Sequence, residues 1–174
     1  LAHVADLNGV VSGIRTVLKD RGVAVLEVPY VKDLIDHIEF DTIYHEHLCY
    51  FSLTALNRLF AANGLTIVDV ERVPIHGGSL RVFARRQGPP GSRVESLLAE
   101  EQRWGVQQPD YYRHFGQRVE RLRTELTSLL RQLKQAGQRI AVYGASAKGS
   151  TLLNYFGIGP ELLDFVVDRS TIKQ

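Results

Sequence analysis

The sequence is poor in the residues from which disulfide frameworks and zinc clusters are built. Its single cysteine, Cys49, excludes an internal disulfide and any site with several cysteine ligands, which is typical of a reducing compartment. No apolar run approaches the roughly 18 residues that a membrane-spanning helix needs, and the opening residues LAHVADLNG lack the features of a signal peptide. We therefore expect a cytoplasmic protein without a membrane partner. Methionine is also absent, which predicts that the numbering opens within a longer protein.

The sequence also lacks an excess of either positive or negative charge. Lysine and arginine number 21 against 19 acidic residues, a net charge of +2, and the arginines are dispersed along the chain. A nucleic-acid partner is therefore not expected. The 174 residues, 44% of them hydrophobic, suit one globular domain or two small ones.

The apolar pattern of the first half predicts alternating helices and strands. Asp6 is a good N-cap for a helix with apolar residues at three- and four-residue spacing. The run VAVLEVP at 23–29 lacks clean alternation and predicts a strand buried on both faces of a parallel sheet. Ser52 can cap a second helix. The strands expected at 65–73 and 79–86, joined by PIHGG, predict an antiparallel hairpin.

Beyond the hairpin, QGPPGS at 87–92 opposes both helix and sheet and marks a linker. An apolar stripe from Phe115 to Leu133 predicts a long helix that Gly137 ends. The segment from 139 onward predicts a buried strand, a turn, a helix and a second strand, which is a βαβ unit. We therefore expect domain boundaries that divide the chain into 1–87, 88–137 and 138–174.

The run Tyr44-His45-Glu46-His47 places four proton-handling side chains in consecutive positions. A phenol, a carboxylate and two imidazoles can together abstract a proton and hydrogen-bond a developing oxyanion, and imidazoles titrate near neutral pH. Apolar and aromatic residues flank the run on both sides. We therefore expect it at the rim of a cleft rather than in an open polar loop.

The turn GASAKG carries a degenerate phosphate-binding pattern. Gly144, Ser146 and Gly149 occupy the three glycine positions of G-x-G-x-x-G, with serine in the middle position. In one interpretation Lys148 and the helix amides hold a phosphate while Asp168 meets a ribose hydroxyl. In the other, this is a tight strand-to-helix turn with an exposed lysine.

Four segments, LAHVADL, FDTIYHEHLCYFS, HGGSLR and GASAKGSTLLN, together resemble the nucleotide-sugar C-methyltransferases, which methylate carbon 3 of a 4-keto deoxysugar on a nucleoside diphosphate. The resemblance implies an α/β fold: the second half of a class I methyltransferase (Rossmann-like) sheet with an antiparallel hairpin, a helical linker, and the start of a second Rossmann-like βαβ domain. It implies S-adenosylmethionine as cofactor, with its glycine-rich loop upstream of Leu1. The family's cysteine-rich zinc module has no counterpart here, so no metal is expected.

The resemblance also implies roles for particular residues. His47 becomes the general base, with Tyr44 and Glu46 beside it and His3 facing the same sugar. Such chemistry needs a base near neutral pKa and hydrogen-bond donors at the enolate oxygen. The implied partner is a nucleoside-diphosphate sugar, held in the second Rossmann-like domain by Tyr143, Ser146 and Lys148. Weaker substrate-binding candidates come from HGGSLR: His76 and Arg81.

Three other functions remain open on sequence grounds. His45 and His47 could share a face of an extended segment and ligate zinc near Glu46, as in a zinc-dependent hydrolase. The chain could be a noncatalytic nucleotide-binding module in which YHEH is structural. The degenerate glycine motif alone would suit an NAD-dependent oxidoreductase, but no hydride-transfer constellation accompanies it.

Overall fold

The computed structural model describes residues 1–172, which form helices, strands and one 3-10 turn over Phe40–Thr42. The helices are α1 (Leu7–Val17), α2 (Val31–Asp36), α3 (Leu53–Ala62), α4 (Ser92–Trp104), α5 (Pro109–Gln135) and α6 (Ala147–Phe156). The strands are β1 (Ala24–Pro29), β2 (Thr66–Val73), β3 (Ser79–Arg85), β4 (Ala141–Tyr143) and β5 (Phe165–Val167). This confirms the mixed α/β fold.

The chain divides into two compact units. The first contains residues 1–39 and 46–112, and the second contains residues 40–45 and 113–174. The domain boundaries expected after residues 87 and 137 stay a prediction. Within residues 1–172, no helix combines the length and the apolar content that a membrane crossing requires.

The first unit is built on a three-stranded sheet with the order β1-β3-β2. Strands β2 and β3 form the expected antiparallel hairpin, and β1 also pairs antiparallel with β3. Strands β1 and β2 therefore point the same way on either side of β3. The chain between β1 and β2 contains α3, so this crossover is of the type that parallel strands require.

The prediction that the first strand is buried on both faces of a parallel sheet is wrong. Strand β1 is antiparallel to its neighbour β3, and Val25 is 55% exposed whereas Val28 is 1% exposed. The pairing with β3 leaves alternate side chains of β1 on opposite faces of the sheet, and only one of these faces is covered within the described residues.

The core of the first unit lies between this sheet and α1, α3 and α4. Local sequence explains two of these helices, because the carboxylate of Asp6 accepts from Gly9 N at 2.8 Å and the hydroxyl of Ser52 accepts from Ala55 N at 3.0 Å. Each cap satisfies an N–H group that has no partner inside the helix. The fully buried side chains of this core include Val11, Leu53, Leu56, Phe60, Ile67, Leu80, Val82 and Val94.

The second unit contains most of α5 and a parallel two-stranded ladder of β4 and β5 joined through α6. This confirms the βαβ unit, with two corrections. The first strand is not buried, since Tyr143 of β4 is 74% exposed. Strands β4 and β5 pair only with each other within the described residues, so each of them is an edge strand. The turn is also shorter than GASAKG, because Ser146 caps α6 and Ala147 already lies in the helix.

Candidate active site

The YHEH run lies in irregular backbone between the 3-10 turn and α3. Tyr44 and His45 belong to the second unit, where their ring centroids are 6.1 Å apart. Glu46 and His47 belong to the first unit. His45 and Glu46 are exposed, whereas Tyr44 and His47 are half-buried. Adjacent residues of the run therefore differ in exposure, and His47 is half-buried within the first unit.

The structure brings His47 next to His3. Their ring centroids are 4.9 Å apart and the ring planes meet at 85°, an edge-to-face contact. The backbone explains this approach, because the carbonyl of Ala2 accepts from Leu48 N at 2.8 Å and from Cys49 N at 3.3 Å. The residue before His3 is thus hydrogen-bonded to the residue after His47.

The same segment is held at the carboxyl end of β1. Val31 N donates to the carbonyl of Phe51 at 2.9 Å, and Tyr30 forms an isolated parallel bridge with Phe51. Ligands of open α/β sheets bind outside the carboxyl ends of the strands. The imidazole pair is therefore connected to the part of the sheet where this class of fold places its substrates.

Tyr50 is a neighbour of His47 that sequence reasoning did not single out. Its ring centroid lies 6.2 Å from that of His47 with the planes at 75°. His47 therefore has an imidazole and a phenol edge-on to it within one unit. The three-residue separation in HLCY was the available signal, but it does not fix ring contact in irregular backbone.

The HGG sequence of HGGSLR forms the hairpin turn. His76, Gly77 and Gly78 all have positive φ, at 52°, 84° and 123°. A Cβ on Gly77 would lie 1.9 Å from Glu39 Oε2, and one on Gly78 would lie 2.3 Å from Asp33 Oδ2. The two glycines are thus required by backbone conformation and by close carboxylates. His76 is exposed at the tip of this turn.

Arg81 lies in the middle of the sheet with an acidic side chain on each neighbouring strand. Its Nη2 donates to Glu27 Oε2 at 3.1 Å and its Nη1 donates to Glu71 Oε2 at 3.4 Å. These are cross-strand partners, since Arg81 faces Glu27 of β1 and Glu71 of β2 in the register. Its charge is balanced within the sheet, which accounts for the arginine without a substrate.

Three predicted nucleotide-binding residues, Tyr143, Ser146 and Lys148, line one cleft of about 510 Å³ in the second unit. Ser146 has a structural role as well, because its hydroxyl oxygen accepts from Gly149 N at 3.0 Å and caps α6. The hydroxyl hydrogen and the Lys148 ammonium are groups that can donate to an anionic ligand. The remaining walls are mainly apolar, contributed by α5, α6 and β4.

The carboxylate of Asp168 stabilises the turn after β4 through hydrogen bonds to the backbone. One carboxylate oxygen accepts from Ala145 N at 2.7 Å and the other accepts from Ser170 N at 2.7 Å. The carboxylate therefore fixes the backbone beside Gly144, whose φ is 101°. These bonds favour the interpretation of Asp168 as part of a strand-to-helix turn.

Glu101 is a buried carboxylate that sequence reasoning missed. It lies on α4, is fully buried, and accepts a hydrogen bond from the Tyr30 hydroxyl at 3.0 Å. Burial, followed by the negative charge of Glu101, raises the pKa of Tyr30 far above its usual range. Helical spacing was the available signal, because Glu101 shares the buried face of α4 with Val94 and Leu97.

Two features of the described residues concern the binding of a metal ion and of the implied cofactor. Within residues 1–172, no three His, Cys, Asp or Glu side chains are grouped so that they could hold a metal ion. The turn at Gly77 and Gly78 is filled by the carboxylates of Glu39 and Asp33. It therefore does not fit the carboxylate and ribose of S-adenosylmethionine, which the resemblance implies.

The sheet order, the crossover between β1 and β2 and the surrounding helices are those of an α/β protein and are consistent with part of a methyltransferase fold. Comparison with known proteins agrees, because the family model described as "C-methyltransferase C-terminal domain" matches residues 74–174 and a methyltransferase domain model matches residues 1–70. The chain belongs to the C-methyltransferase family. C-methyltransferase NovU of Streptomyces niveus is 39% identical over 176 residues, covering 99% of this chain. The chain spans 42% of the length of that relative.

Proposed function

We propose that the protein acts in the S-adenosylmethionine-dependent C-methylation of a nucleoside-diphosphate-linked 4-keto deoxysugar at carbon 3, in the cytoplasm. The observation that carries this proposal is the edge-to-face contact of His3 and His47 on a segment hydrogen-bonded to the end of β1. Family membership supports C-methylation. The motif set LAH, YHEH, HGGSLR and GASAKG supports the sugar substrate.

The chemistry needs a base and an oxyanion donor at neighbouring positions. His47 takes the hydrogen of carbon 3 as a proton, and the electron pair of the broken C–H bond moves toward the ketone oxygen. His3 or Tyr44 donates a hydrogen bond to that oxygen, whose negative charge is stabilised most by donors already in place. Glu46 orients an imidazole. Two imidazoles in contact can supply an acceptor and a donor together.

A pair of histidine substitutions tests this assignment in the full-length protein. His47→Ala is expected to lower the rate of methyl transfer by at least about 100-fold, the usual worth of a general base. His45→Ala is the matched control, because it removes an adjacent imidazole that has no role in the proposal. Undiminished transfer by His47→Ala would contradict the proposal and favour a noncatalytic nucleotide-binding module. No methyl transfer by the wild type, together with bound zinc that both variants lose, would favour the zinc hydrolase.

The second unit contributes nucleotide binding in this proposal. Lys148 and Ser146 contact the diphosphate and Tyr143 contacts the nucleoside, and the cleft that these residues share supports the assignment. His76 and Arg81 are weaker candidates, because the first lies at a turn tip and the second pairs with two glutamates.

Lys148→Ala is therefore expected to raise KM for the nucleotide sugar about tenfold or more while kcat changes little, because the lysine binds ground state and transition state alike. Lys19→Ala, an exposed lysine of the first unit, is the control. Steady-state kinetics of methyl transfer measures both. An unchanged KM in Lys148→Ala would contradict the diphosphate assignment.

A further inference from the structure

The first peptide N–H groups of α3, the helix that follows His47 in the sequence, donate to the buried carboxylate of Glu101. Glu101 Oε1 accepts from Leu53 N at 2.6 Å, and Glu101 Oε2 accepts from Thr54 N at 2.7 Å and from the Thr54 hydroxyl at 2.5 Å. Leu53 and Thr54 are the first residues of α3. With the Tyr30 hydroxyl, Glu101 accepts four hydrogen bonds at a fully buried position.

These contacts suit a carboxylate and no other side chain of similar size. The first N–H groups of a helix have no partner within it, and the helix dipole favours a negative charge at that end. A buried carboxylate is costly unless donors surround it, and here each oxygen has two. Removing the carboxylate would leave the donors of α3 without hydrogen bonds in the core, and removing the donors would leave the carboxylate without them. Glu101 and the start of α3 therefore stabilise each other's position.

We infer that Glu101 is a positioning residue for His47. The segment from His47 to the start of α3 is hydrogen-bonded to Ala2 at one end, to Val31 in the middle and to Glu101 at the other end. The first two contacts are neutral bonds between peptide groups, from Leu48 and Cys49 to the carbonyl of Ala2 and from Val31 to the carbonyl of Phe51. Glu101 instead binds two peptide N–H groups and a hydroxyl through a charged side chain. Loss of its charge frees the helix end of the segment, and the His47 ring then leaves His3.

This inference rests on the proposed function, and it adds a connection between two parts of the sequence. Glu101 lies in the region matched by the C-methyltransferase C-terminal domain, whereas His47 and Leu53 lie in the region matched by the methyltransferase domain. All three residues belong to the first compact unit. The helix α4 therefore contributes to the geometry of a base that lies far from it in sequence.

The test is Glu101→Gln in the full-length protein. One amide oxygen can keep two of the four donors, but the NH2 group must then face the N–H of the other pair. We expect kcat for methyl transfer to fall about 10- to 100-fold, as for a small misplacement of a catalytic group, with KM for S-adenosylmethionine unchanged. Glu95→Gln, an exposed glutamate on the same helix, is expected to leave both constants unchanged.

A spectroscopic readout separates positioning from a loss of stability. With ring-labelled histidine, the wild-type protein should show a nuclear Overhauser effect between the rings of His3 and His47, assigned with His3→Asn and His47→Asn variants. The effect should disappear in Glu101→Gln at a temperature where that variant is folded. A retained ring contact with undiminished kcat would overturn the inference, even if the melting temperature falls.

Should Glu101→Gln fail to fold, Thr54→Val keeps the inference testable. It removes only the hydroxyl donor to Glu101, and kcat is expected to fall about threefold with a weaker ring contact; unchanged kcat would overturn the inference. The two proposals also fail differently. Undiminished transfer by His47→Ala overturns both, whereas loss in His47→Ala with wild-type kcat in Glu101→Gln overturns the positioning role alone.

Discussion

At the scale of single residues, the histidines and the charged side chains of the sheet have separate tasks. His3 and His47 are in ring contact near the end of β1. On the sheet, Arg81 lies between Glu27 and Glu71. Arg81, Glu27 and Glu71 are therefore engaged with one another on the sheet, while His3 and His47 lie on two segments outside the strands.

A neighbouring ion pair should make stability depend on pH. The Arg93 guanidinium donates to Asp69 Oδ1 at 2.7 Å, and this hydrogen bond holds the pKa of Asp69 below its usual value. A lowered folded-state pKa stabilises the protein above the unfolded pKa of about 4, and the effect is lost as pH falls through the folded pKa.

Arg93→Gln is therefore expected to lower the free energy of unfolding at pH 7, and the difference from wild type should shrink when the pH falls below about 4. Urea denaturation at both pH values measures this. The Arg93 side chain is 55% and the Asp69 side chain 36% exposed, so solvent and ions reach the pair and the difference should also shrink in high salt. Arg103→Gln on the same helix is the control. A difference that grows toward low pH would contradict the assignment.

At the scale of elements, the β2–β3 turn depends on two glycines that carboxylates approach closely. A Cβ on Gly78 would force a φ of 123° on a non-glycine residue and would meet Asp33, which pairs with Arg72 at 2.5 Å. Gly78→Ala is expected to lower the free energy of unfolding by about 1–3 kcal/mol from backbone strain alone.

Gly13→Ala is the matched control, because Gly13 lies inside α1 with no atom within 4 Å of its Cβ position. This substitution is expected to raise the free energy of unfolding by about 0.5–1 kcal/mol. Chemical denaturation of both variants measures the contrast. A neutral or stabilising Gly78→Ala would show that the turn tolerates another conformation.

A structural feature could be predicted from the sequence when the residues that cause it are close together in the chain. The helix starts at Asp6 and Ser52 were predictable because each cap bonds an N–H three residues away. The exposure of Val25 could not be predicted, because it depends on the pairing of β1 with β3, in which Val25 lies opposite Phe83. The short helix α2 was missed because six residues after a strand leave too little periodicity.

Some residues of the candidate site could likewise be predicted from the sequence and others could not. The YHEH run was conspicuous in the sequence, and the contact between His47 and His3 could be expected only through resemblance to a family. Glu101 was not predictable because its partners at Leu53 and Tyr30 lie 48 and 71 residues away. Side chains that bind distant backbone leave little trace in a single sequence beyond one charged residue on an apolar helix face.

At the scale of the whole molecule, the proposed base His47 lies in the first compact unit and the residues proposed for the nucleotide lie in the second. The chain spans 42% of the length of its C-methyltransferase relative, and the glycine turn of the first unit is filled by its own carboxylates. We expect the isolated 174-residue chain not to bind S-adenosylmethionine in calorimetry, with the full-length protein as the binding control. Stoichiometric binding of S-adenosylmethionine by the isolated chain would contradict this expectation.

The most direct test of the account is hydrogen exchange at carbon 3 of the sugar. The full-length protein is incubated in D2O with a nucleoside-diphosphate 4-keto deoxysugar and no methyl donor, and deuterium at carbon 3 is followed by NMR against a protein-free control. We predict that wild type and His45→Ala catalyse the exchange and that His47→Ala does not. Exchange by His47→Ala at the wild-type rate would contradict the assignment of His47 as the base.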